Sequence, residues 1–63
     1  MLESQKKEQQ QLLLQIKRIV ASPAISVKNA KIAKELYKEI KNAPELTNAM
    51  RIRVHNISNG KFD

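Results

Sequence analysis

His55 is the only histidine, so a nucleophile and base pair would have to use it, and a search for chemistry begins there. To act as a base in nucleophilic catalysis it needs a hydroxyl to deprotonate, a carboxylate to orient it and a turn of backbone N–H groups to receive negative charge. Ser58 and Ser22 are the candidate hydroxyls, but the sequence signals neither an orienting carboxylate nor an oxyanion turn beside them. The six carboxylates are spread along the chain without a close acidic cluster, and cysteine is absent, so ligands at metal-site spacing are lacking. Gly60 is the sole glycine, which excludes a glycine-rich phosphate loop. These residues predict a non-enzymatic protein with no catalytic residues, no metal, no cofactor and no small-molecule substrate.

What remains is charge. Twelve Lys and Arg face six Asp and Glu, a net charge of +6 that favours nucleic acid, anionic lipid or acidic proteins as partners. Between Ser26 and Asn42 the charge is patterned. At about 100° per residue, Ala30, Ala33, Leu36, Tyr37 and Ile40 fall on one side of a helix, and Lys31, Lys34, Lys38 and Lys41 within roughly a quarter of the circumference on another. Such a row can follow a phosphate backbone, and Arg51, Arg53 and Lys61 could extend it. A solvated helix face explains the same pattern. Base-specific reading is poorly served, because the Asn42-Ala43-Pro44 junction does not suit a helix-turn-helix and Tyr37 and Phe62 are the only aromatics available for stacking.

The elements that position these side chains follow from periodicity and punctuation. Sixty-three residues suit one domain, here 1–63, with a small aliphatic core. Residues 1–11 are almost wholly polar and predict a solvated helical extension or a frayed end. Leu12, Leu13, Ile16, Ile19 and Val20 then form an apolar stripe that predicts the first core helix, ended by Ser22-Pro23. Ser26 is the expected N-cap of the second helix, with Ser22 before Pro23 as the competing start. For the third segment, Pro44 and Glu45 suit a first turn, Leu46, Met50, Val54 and Ile57 recur at helical spacing, and Asn59-Gly60 resembles a stop. Met50 to His55 also alternates like a strand, but a lone strand has no partner, so helix is preferred. Residues 60–63 are expected to form a tail, with Phe62 able to fold back on the core.

The result is an all-α fold: a small antiparallel bundle made of a helical hairpin and a third helix. Leu14 and Ile52 fall away from the apolar stripes, which makes them candidate contacts for a protein partner or for a second copy of the chain. The longest run of large apolar residues, Leu12-Leu13-Leu14, is far below a membrane span, so a cytoplasmic protein is expected.

The order of these features resembles a known family. A helix ending Ile19-Val20-Ala21, then Ser22-Pro23-Ala24-Ile25, then a lysine-rich helix from Asn29-Ala30-Lys31 through Leu36-Tyr37-Lys38 to Ile40, then Pro44-Glu45, looks like the immunity proteins of pediocin-like bacteriocins. The resemblance spans approximately Leu12 to Ile57. It implies a small basic helical bundle that acts from the cytoplasm on a bacteriocin-receptor complex at the membrane. The functional expectation is therefore a binding or regulatory protein, immunity-like in its most specific version. The alternative is a nucleic-acid-associated regulator that touches phosphates through Lys31, Lys34, Lys38, Lys41, Arg51 and Arg53. A third reading is a self-associating helical protein, and a peripheral contact with a membrane surface is compatible with the charge.

Overall fold

The computed structural model describes residues Leu2 to Phe62 and places them in three helices, α1 (Glu3–Val20), α2 (Val27–Lys41) and α3 (Asn48–Ser58). Met1 and Asp63, the outermost residues of the polar segment and of the tail, lie outside the described residues.

Polar residues do not delay the first helix. Glu, Gln, Lys and Leu are all strong helix formers, and α1 runs without interruption from Glu3 through the glutamine-rich stretch to Val20. Glu3 lies in its first turn and Lys17 and Arg18 in its last, which is the arrangement the helix dipole favours. The helix closes at Ala21, one residue before the Ser22-Pro23 step that cannot continue it.

Helix α2 begins where the sequence places its cap. The Ser26 hydroxyl accepts the Asn29 N–H at 3.1 Å, while Ser22 only receives Ala24 N–H within the preceding turn. The third helix starts later than the Pro44-Glu45 signal suggests. Thr47 is its N-cap and accepts the Met50 N–H at 3.3 Å. A start at Pro44 would have put Ala43 at the cap, and alanine has no side-chain acceptor for the orphan N–H groups. Met50 to His55 lies wholly within this helix, so the strand reading is not realised.

Helix α3 ends in a Schellman turn. Gly60 takes φ +80°, its N–H reaches Ile57 O at 3.1 Å, and Lys61 N–H reaches Asn56 O at 2.8 Å. The expected tail is thereby held, and Phe62 packs against the core.

Ile16 from α1, Ala33, Leu36 and Ile40 from α2, Leu46, and Val54 and Ile57 from α3 make up the buried core. Leu12, Leu13, Ile19, Val20, Tyr37 and Met50 surround it at partial burial. Among the described residues no polar or charged side chain is buried, so an entirely aliphatic centre holds the three helices. Gln9, near the start of α1, donates to Ile40 O at the end of α2, which makes the first two helices antiparallel. Arg51, near the start of α3, meets Glu8, near the start of α1, so α3 runs back alongside α1 in the same sense.

Candidate functional site

The six basic residues expected to act together divide into two sets. Arg51 is occupied inside the molecule: its Nε donates to Glu8 Oε2 and its Nη2 to Glu8 Oε1, each at 2.9 Å, and its Nη1 donates to Asn48 Oδ1 at 2.8 Å. That paired geometry uses the planar fork that only arginine offers. The hydrogen bond from Arg51 holds the Glu8 carboxyl below the ordinary glutamate range, and Glu8 in turn raises the guanidinium above its own. Arg53 donates through Nη1 to Glu39 Oε2 at 3.1 Å. The two arginines link α3 to α1 and to α2 through these pairs.

The lysines are left outward. Lys31, Lys34, Lys38 and Lys41 are all exposed, and among the described residues no lysine forms an ion pair with a carboxylate. Helical geometry separates them from the arginines. Glu39, which receives Arg53, lies at least about 80° around α2 from each lysine of the row. The row instead borders α1. There Lys17 holds its ammonium 6.0 Å from the centroid of the Tyr37 ring, a cation–π contact. Ile16, Lys17, Val20, Lys34 and Tyr37 line an open recess of about 190 Å³ between the two helices. The result is a cationic face with a small apolar floor, in which Lys17 was not anticipated from the sequence. Its signal lies in α1, where Lys17 falls on the same flank as Leu13 and Val20.

No family model, curated protein or solved structure matches this chain. The reading of its surface rests on geometry.

The candidate apolar contacts do not converge. Leu14 is 50% exposed on the outer side of α1, beside Lys7, Gln10 and Gln11, and Ile52 is 59% exposed on α3. Each lies about 160° around its helix from the core residue two positions away, Ile16 and Val54 respectively. His55 is exposed, with Nε2 3.3 Å from Asn59 Nδ2. The Ser58 hydroxyl donates to Val54 O at 2.8 Å and points its proton into the helix backbone. Among the described residues no three His, Cys, Asp or Glu side chains are grouped to hold a metal ion. No helix among them is long and apolar enough to cross a membrane.

Proposed function

We propose that the chain is a non-catalytic binding protein that engages an anionic macromolecule through the lysine face of α2. One observation carries this reading: both arginines of α3 are matched by carboxylates, while Lys31, Lys34, Lys38 and Lys41, four of the five lysines of α2, form a row exposed and without carboxylate partners. Charge left without an internal partner on one side of a small protein creates a directional field, which speeds and orients encounter with an oppositely charged surface. Titration with polyglutamate, heparin and duplex DNA at low and physiological salt tests it. Binding should be present at low salt, weaken steeply with added salt, and fall when Lys34 and Lys38 are both replaced by Gln. Absence of binding to every polyanion at low salt would sink it.

A protein is the favoured partner. In the nucleic-acid reading Arg51 and Arg53 extend the phosphate contacts of the lysine row, and both guanidiniums are engaged by carboxylates, which favours a reading that uses the lysines alone. A mobility assay decides between them, since tighter binding to DNA than to acidic protein would reverse the order. The narrower version, an immunity-like protein in the cytoplasm acting on a bacteriocin-receptor complex, is supported by the short-looped helical bundle and the basic second helix. Its test is expression in a sensitive strain, where failure to protect against a panel of pediocin-like peptides would count against it.

A further inference from the structure

We propose that the lysine face of α2 is the seat for an acidic amphipathic helix of a partner protein, an inference that rests on the anion-binding reading above. The spacing carries it. Val27, Lys31, Lys34, Lys38 and Lys41 follow one another at intervals of four, three, four and three residues. That alternation averages about 3.5 residues, the period that keeps a stripe facing a neighbouring helix along its whole length. At about 1.5 Å per residue the row extends roughly 21 Å along α2, the length of about four turns of a partner helix. A second helix with carboxylates at the same alternating interval meets each lysine at the same rise.

Two further features favour a helix over a phosphate backbone. Val27 heads the row and is 88% exposed, the most exposed large apolar side chain among the described residues. A phosphate chain has nothing to place against it, whereas an amphipathic helix does. Beside the row, an open recess is lined by Ile16, Val20 and Tyr37 together with Lys17 and Lys34. Its volume of about 190 Å³ suits one large aliphatic side chain, not a bound cofactor. The partner is thus a helix carrying a straight row of Glu or Asp, an apolar side chain at the end of that row to meet Val27 and, beside the row, one Leu, Ile or Met that enters the recess.

The test uses the full chain and synthetic helical peptides of one composition. In the first, glutamates form a single row at alternating three and four spacing with a leucine beside its middle; in the second, the same residues are distributed around the helix. A third carries alanine in place of the leucine. Fluorescence anisotropy at low salt should give the first peptide about tenfold tighter binding than either of the others, because register and one filled apolar recess are each worth that much. Amide shifts in the NMR spectrum should centre on Lys31, Lys34, Lys38 and Tyr37, and the exposed pair K34Q/K38Q should weaken binding about tenfold. Equal affinity for the row and distributed peptides would overturn the helix inference while leaving the anion-binding reading intact. So would tighter binding to duplex DNA or to phosphatidylglycerol vesicles. Binding to no anion of any kind would overturn both.

Discussion

Arg51 and Glu8 are 43 residues apart in the chain, yet two of the guanidinium nitrogens meet both oxygens of the carboxylate at 2.9 Å. The pair joins the first and last helices at the end of the bundle where α2 also finishes. Its side chains retain 35% and 40% exposure, so water and salt weaken it, and its value lies in fixing how α3 lies on α1. Because the pair lowers the Glu8 pKa, its stabilising contribution is complete above the ordinary glutamate range and is lost as pH falls through the lowered value. The thermal midpoint of the wild type should therefore decline on acidification, and Glu8→Gln should flatten that part of the profile while lowering the midpoint at neutral pH. Arg51→Lys should lower it as well, since an ammonium cannot make the two-pronged contact. Circular dichroism melts across the acid range check both. An unchanged pH profile in the Glu8→Gln protein would show that the pair contributes nothing.

Gln9 offers a second test of what the polar segment does. Its amide donates to Ile40 O at 2.8 Å and more loosely to Lys41 O at 3.4 Å, adding a strong donor at the end of α2, where Ile40 O otherwise receives the Ala43 N–H at 3.3 Å. Gln9→Ala should cost about 1 kcal/mol in urea unfolding, the usual value of such a bond. Gln9→Glu should cost more, because it sets a carboxylate against carbonyl oxygens at the negative end of a helix.

These two contacts mark where the sequence stops being legible. The apolar stripes through Ile16, Leu36, Ile40, Val54 and Ile57 announce three helices, because period and burial are local properties that a linear reading captures. Ser26 as a cap and Asn59-Gly60 as a stop are equally visible, since each acts on its own helix. Glu8–Arg51 and Arg53–Glu39 are not visible, because nothing in a charged residue's local spacing says which distant charge it will face. Residues 1–11 looked idle for the same reason: their partners are the end of α2 and the start of α3. Pro44-Glu45 misled by one turn because proline fits a first turn but supplies no cap, and Thr47 does. The lysine row was legible as a row. That the two arginines would each meet a carboxylate on another helix was not.

Gly60 tests the end of α3. A methyl group added there would meet no atom within 4 Å, so any cost of Gly60→Ala comes from backbone conformation at φ +80° and not from crowding. The substitution should destabilise by about 1 kcal/mol, and Gly60→Asn by less, because asparagine tolerates left-handed angles better than alanine. Equal losses for the two variants in chemical denaturation would show that left-handed strain is not the cause.

Leu36 and Ile52 separate core from surface. Leu36 is fully buried in α2 at the centre of the aliphatic cluster, and its truncation to alanine removes packing from a core that a chain this short cannot replace. Leu36→Ala should cost about 2–5 kcal/mol, comparable with the whole stability of a domain of this size, and leave the protein largely unfolded at physiological temperature. Ile52→Ser and Leu14→Ser remove side chains that are half or more exposed and should shift stability by less than about 0.5 kcal/mol. Sedimentation of the wild type and both serine variants then bears on self-association. If Leu14 or Ile52 joins two copies, the wild type sediments with a concentration-dependent mass and the matching variant does not. A concentration-independent monomer in all three removes pairing of like chains as the role of Leu14 and Ile52.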